Sequence, residues 1–198
     1  MKIQILGAGR EVGGSGVSIL DKNTNILMDY GLKVQSRPPS GPIPTKEVNA
    51  IFLTHAHLDH SGYLPVLYKN ESPKLFTNDI TLEAVNLLLE DSLKIAKREK
   101  YFLDFGRKEI KAMNRNAILL NYNESIKVNE FECKLLDAGH IPGSTSVLLE
   151  HKLGKRIFYT GDIKIESSRL LNGAEIPEKT DVLITESTYS ASDHPGRE

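Results

Sequence analysis

Thr54-His55-Ala56-His57-Leu58-Asp59-His60 places three of the chain's six histidines within six residues, directly after the apolar run 50–53. A polar loop after a strand needs no imidazoles. Imidazole nitrogens and carboxylate oxygens are, however, the ligands that zinc takes at about 2.0–2.2 Å. In an extended segment, residues two apart carry their side chains to the same side, so His55 and His57 can aim at one point. Asp59 and His60 follow where the backbone turns, and face a second point a few ångströms away. One short loop thus seeds two neighbouring metal sites, and other parts of the chain must complete them.

Two further segments offer the missing ligands. His140 sits in Asp137-Ala138-Gly139-His140-Ile141-Pro142-Gly143-Ser144, just past a strand-like run, where the glycines and Pro142 mark a rigid loop. Asp162 closes Tyr159-Thr160-Gly161-Asp162, again past an apolar strand, and a carboxylate there can bridge two cations. Asp29 ends the run 25–29 and is expected to orient the histidine loop through hydrogen bonds rather than to bind metal. The expectation is that the ring nitrogens of His55, His57 and His140 converge, with Asp59, His60 and Asp162 beside them.

Around these loops the chain reads as α/β. Short apolar runs at 3–6, 16–20, 25–29, 50–53 and 75–77 predict the early strands, and 36–44, with four prolines, predicts a loop. Leu82, Val85, Leu89, Leu93 and Ala96 step at three and four residues and predict a helix over 81–98, capped by Thr81. A shorter helix is expected at 107–114. Strands then follow one another at 117–120, 125–128, 131–136, 146–150, 156–159 and 182–185, which together with the helices suggests a layered sandwich.

The bulk properties narrow the function classes. With 198 residues, 39% hydrophobic and 26% charged, the chain has ordinary globular composition and no apolar run near the ~20 residues of a membrane helix. A net charge of −1 gives no overall attraction to nucleic acid, so such a ligand needs a local basic patch. One stretch qualifies by composition: between 93 and 115 lie Lys94, Lys97, Arg98, Lys100, Arg107, Lys108, Lys111 and Arg115. It reads either as a solvated helix face or as a contact for phosphates. The single cysteine, Cys133, alternates like a strand residue and excludes an internal disulfide, which fits a reducing, cytoplasmic compartment. The glycine-rich Gly7–Gly14 segment has Val12 where a dinucleotide loop needs its third glycine, and a β-like run follows it. His151 and His194 lie outside any cluster and are expected at the surface.

The order Asp29, His-Ala-His-Leu-Asp-His, Ala-Gly-His-Ile-Pro-Gly-Ser and Thr-Gly-Asp resembles the metallo-β-lactamase superfamily. Gly-Ala-Gly-Arg-Glu-Val-Gly at the start, His-Ser-Gly-Tyr-Leu-Pro after the histidines and Leu-Ile-Thr-Glu-Ser-Thr-Tyr from Leu183 are similar to its β-CASP branch. Within that branch the chain looks most like archaeal relatives of the cleavage and polyadenylation specificity factor nuclease. The resemblance implies an αββα sandwich and a two-zinc hydrolase acting on single-stranded RNA. It matches His55, His57 and His140 to one zinc, Asp59 and His60 to the other, and Asp162 to the bridge. It implies that Asp59 or Asp162 accepts a proton in the reaction and that Glu186 orients a catalytic histidine. It also implies that the inserted β-CASP domain begins near residue 190. On that expectation 1–198 is the N-terminal portion of the sandwich, short of its closing strands and of one ligand for the second zinc, weakly active at most and prone to pair with a second copy. Another hydrolase of the superfamily, a thioesterase or lactonase, and a non-catalytic metal- or RNA-binding module are the competing readings.

Overall fold

The computed structural model describes residues 1–188 and 190. The first sheet has the order β1-β2-β3-β4-β5-β6, formed by β1 (Lys2–Gly7), β2 (Gly16–Asp21), β3 (Thr24–Met28), β4 (Ala50–Phe52), β5 (Lys74–Thr77) and β6 (Ala117–Leu119). The first three strands are antiparallel, and β3 to β6 run parallel. The second sheet has the order β11-β10-β9-β8-β7: β7 (Ser125–Val128), β8 (Phe131–Asp137), β9 (Thr145–His151), β10 (Arg156–Tyr159) and β11 (Val182–Ile184). Only its β10–β11 pair is parallel.

Strand side chains alternate between faces, and the sequence uses that alternation to build two cores. Ile26, Met28, Phe52 and Phe76 face Phe131, Cys133, Leu135, Val147, Leu149 and Ile157 between the sheets. Their neighbours Leu27, Ile51, Leu53 and Leu75 point the other way, to the helices. Those are α1 (Leu58–Ser61), a 3-10 turn (Leu64–Lys69), α2 (Asp79–Glu99) and α3 (Arg107–Arg115). Val85, Leu89, Ile110 and Met113 complete that second core. A small cluster of Leu136, Leu148 and Phe158 lies on the far face of the second sheet. This is the sandwich the sequence implies.

Two expectations need correction. The cap of α2 is Asn78, whose side-chain oxygen accepts from the Ile80 N–H, not Thr81. Thr81 instead donates its hydroxyl to the Gly143 carbonyl, tying the helix to the loop that carries His140. The two short helical turns after the histidine cluster lie where no element is expected from the sequence. His151 is buried, not superficial: it ends β9 on the core-facing register, its ring centroid 5.0 Å from that of Phe131 and Nε2 3.3 Å from Asp21. His194 and the expected start of an inserted domain lie outside the described residues. Cys133 is the strand residue expected, and burial pushes its thiol pKa up to about 12. Lys94, Lys97, Arg98, Lys100, Lys108, Lys111 and Arg115 are all exposed, and Arg107 pairs with Glu90. No helix among the described residues is long and apolar enough to cross a membrane.

Candidate metal centre

β3 and β4 lie parallel in one sheet, and β10 and β11 in the other. The loops that follow β3, β4, β8, β10 and β11 carry Asp29, the histidine cluster, His140, Asp162 and Glu186 to one rim of the sandwich. The cluster is clamped by backbone: Ser15, Tyr30 and Leu32 donate their N–H groups to the carbonyls of Asp59, His60 and Leu58 at 2.7–2.8 Å. Gly31 permits this approach, since a Cβ there would lie 1.7 Å from the Asp59 carbonyl oxygen. The His140 loop is braced by Ser144, whose hydroxyl oxygen accepts from the His140 and Ile141 N–H groups.

His55 Nε2 lies 3.0 Å from His57 Nδ1 and 3.7 Å from Asp162 Oδ2. His140 Nε2 lies 3.4 Å from His57 Nδ1 and 3.5 Å from Asp162 Oδ2. The three rings stand nearly edge-on to one another, with interplanar angles of 79–84°. Four ligands at zinc's usual 2.0–2.1 Å in a tetrahedron are about 3.3–3.4 Å apart. The ligand atoms of His55, His57, His140 and Asp162 all lie within 4.8 Å of one another, so the donors fit a tetrahedral cation in both spacing and chemistry.

The other half is looser. Asp162 turns its second oxygen, Oδ1, to His60 Nε2 at 3.1 Å, and Asp59 Oδ2 stands 3.9 Å from the same nitrogen. Asp59, His60, Asp162 and Glu186 open onto a cleft of about 530 Å³ whose far wall is the glycine-rich loop with Arg10. Glu186 accepts from the N–H groups of Thr188 at 3.2 Å and Ile163 at 3.4 Å. Asp29 lies beneath both halves. Fully buried, it receives the Thr54 N–H and hydroxyl, His60 Nδ1 and the Tyr159 hydroxyl, all within 3.1 Å. An ionised carboxylate has about four lone-pair sites, and four donors fill them. Tyr159 and Thr54 escape a sequence reading because their partners are distant in the chain.

Residues 1–192 match the protein family described as anti-Pycsar protein Apyc1. The chain belongs to this family. Over its whole length it is also similar to a probable RNase, MJ4, of Methanocaldococcus jannaschii, with 39% identity over a 204-position alignment that covers 100% of this chain and 47% of the relative. Against cleavage and polyadenylation specificity factor 73 of Drosophila melanogaster the figures are 32% over 206 residues, 100% and 30%. The chain thus spans less than half the length of either. These relatives are metallo-β-lactamase nucleases of the β-CASP type. Zinc-bound PqqB from Methylobacterium extorquens shares the fold, with a TM-score of 0.56 at 14% identity over 87% of this chain and 59% of that one.

Electrostatics among the side chains distinguish the two halves of the site. Burial, then the neighbouring His60, holds the His55 pKa down at about 2. Burial also opposes a charge on His60, but Asp29 and then Asp162 outweigh it and push its pKa up to about 10. Burial works against the Asp162 carboxylate as well, yet its hydrogen bond to His60 holds it well below the usual carboxylate range. A raised histidine pKa stabilises the fold fully below the ordinary 6.5, and that stabilisation is lost as pH rises toward 10. A depressed one costs stability as pH falls from 6.5 toward 2. Urea unfolding of the chelator-stripped protein should therefore show a maximum near pH 6.5, with stability falling on either side by up to about 1 kcal/mol per pH unit. A flat profile between pH 5 and 8 would contradict these assignments.

Proposed function

We propose that the chain carries the metal-binding part of a zinc-dependent ribonuclease that hydrolyses phosphodiester bonds of single-stranded RNA. The tetrahedral spacing of His55, His57, His140 and Asp162 is the observation that carries this reading. These four residues would hold one zinc, and Asp59, His60 and the shared Asp162 a second. Zinc bound in such a pair supplies Lewis acidity toward phosphoryl oxygens and lowers the pKa of water. The protein's own part is positioning and proton handling. Asp59 and Asp162 border the cleft as carboxylates able to take a proton from the attacking water. Glu186, held by two backbone N–H groups at the same cleft, is placed to orient a catalytic histidine outside the described residues.

In this proposal the chain is the N-terminal portion of a metallo-β-lactamase domain, the inserted β-CASP domain begins near 190, and the cytoplasm is the compartment. The β11 edge, with Leu183 55% exposed, supports self-association. RNA, rather than a thioester or lactone, is favoured by the ribonuclease relatives.

The proposal expects one tightly held zinc per chain. The second should be weaker, because the Asp59–His60–Asp162 set offers three ligands where zinc prefers four. Elemental analysis after dialysis, paired with cleavage assays on RNA, thioester and lactone substrates, tests it. RNA cleavage, if slow, that disappears with chelator supports it. Turnover of thioesters or lactones with intact RNA, or zinc washing out completely, contradicts it.

A further inference from the structure

A threonine hydroxyl has one proton to give and lone pairs to accept with. Thr54 Oγ1 lies 2.9 and 3.1 Å from the two oxygens of Asp29 and 3.0 Å from His55 Nδ1. An ionised carboxylate only accepts, so the hydroxyl proton goes to Asp29. The hydroxyl oxygen is then left to accept from His55, whose Nδ1 must carry a proton. With Nδ1 protonated, a neutral ring keeps its free lone pair on Nε2. That is the atom 3.0 Å from His57 Nδ1 and 3.7 Å from Asp162 Oδ2.

The rest of Thr54 reaches the other ligand loops. Its N–H donates to Asp29 Oδ1 at 2.8 Å. Its carbonyl accepts from the Thr145 N–H at 2.7 Å and the Thr145 hydroxyl at 3.1 Å, one residue beyond the Ser144 that braces the His140 loop. Gly161, at φ +55°, packs so closely that a Cβ there would come within 2.8 Å of Thr54 Oγ1, and Asp162 is the next residue. Thr54 is 1% exposed, so no water competes for these contacts.

We propose that Thr54 is a positioning residue of the metal centre: its hydroxyl relays the Asp29 carboxylate to His55, fixes that ring as the Nδ1–H form and presents Nε2 to the metal. Asp29 does the same for His60 directly, through Nδ1 at 2.8 Å. One buried carboxylate thereby sets the rings of both halves, by a one-step path to His60 and a two-step path to His55. The inference rests on the metal centre proposed above.

Thr54→Val keeps the branched shape and removes the relay, and Thr54→Ser keeps the hydroxyl. Partners that orient metal-binding histidines are worth about 10–100-fold in affinity. Competition with a chromophoric chelator should show zinc bound about 10–100-fold more weakly by Thr54→Val and with wild-type affinity by Thr54→Ser. Circular dichroism and melting confirm that each variant folds. Ring ¹⁵N spectra of the metal-free wild-type chain should show His55 with a protonated Nδ1 and a bare Nε2. Wild-type zinc affinity in Thr54→Val, or a folded Thr54→Ser as weak as the valine variant, would overturn the relay while leaving the metal centre intact. If Thr54→Val does not fold, the ¹⁵N spectrum decides: a bare Nδ1 on His55 overturns the proposal. A wild-type chain that takes up no zinc overturns both this inference and the centre on which it rests.

Discussion

Asp162→Asn should lose zinc from both halves of the centre at once. Its Oδ2 faces His55 and His140 and its Oδ1 faces His60, so one carboxylate spans both donor sets. Four-ligand zinc sites in small domains bind with about 10–16 kcal/mol, so one ligand in four carries about 3–4 kcal/mol. That is about 10²–10³-fold in affinity. The change is visible without any substrate. With zinc at about 1,000 times its dissociation constant the wild-type chain gains about 4 kcal/mol of stability, whereas a variant weakened 10³-fold gains under about 1 kcal/mol. For a domain of this size the difference is a zinc-dependent rise in Tm of about 8–16 °C that Asp162→Asn abolishes. Differential scanning calorimetry with and without zinc reads it directly. An equal rise in the variant would mean that the metal is held elsewhere.

Asp29→Asn is expected to be the most damaging of the isosteric changes to the metal-free fold. The substitution keeps the volume but removes the buried charge opposite His60, and turns an N–H₂ group toward donors that need an acceptor. Removing one partner of a buried, hydrogen-bonded ion pair costs about 3–5 kcal/mol, and denaturant unfolding below pH 6.5, where His60 is charged, should show that loss in full. The alkaline limb of the stability profile should flatten too. With Asp29 neutral the His60 pKa falls back, so less stability remains to be lost as pH climbs toward 10. A loss below about 1 kcal/mol, or an unchanged alkaline limb, would show that Asp29 and His60 are not coupled.

The strand ends that build this rim were legible because two local signals agree there. Short apolar runs end at Asp29, Thr54, Asp137 and Tyr159, and loop residues take over immediately. The tight convergence of His55, His57 and His140 was legible for the same reason, since each follows such an end. What local pattern could not supply is choice among equivalent residues. Asn78 and Thr81 are both good caps, and only the distant Gly143 carbonyl decides that Thr81 is needed elsewhere. The burial of His151 follows from β9 running on to 151, which puts it on the face of Val147 and Leu149, whereas the strand expected from the sequence stops at 150. The connections of Thr54 and Tyr159 to Asp29 span 25 and 130 positions, so their part in the site emerges only once two sheets have met.

That meeting of sheets gives the ligand set a wider meaning. His55 and His57 follow a strand of the first sheet, whereas His140 and Asp162 follow strands of the second. An ion seated among them is a rivet through the sandwich, and it exists as a site only while the two layers are docked. Linkage is reciprocal: whatever the ion adds to docking, docking must add to the ion's affinity. Metal uptake thereby becomes a gauge of how well the side chains of Phe52 and Phe76 mate with Phe131 across the core. Drift that loosens the sandwich far from the chemistry would register first as a chain that lets go of its metal.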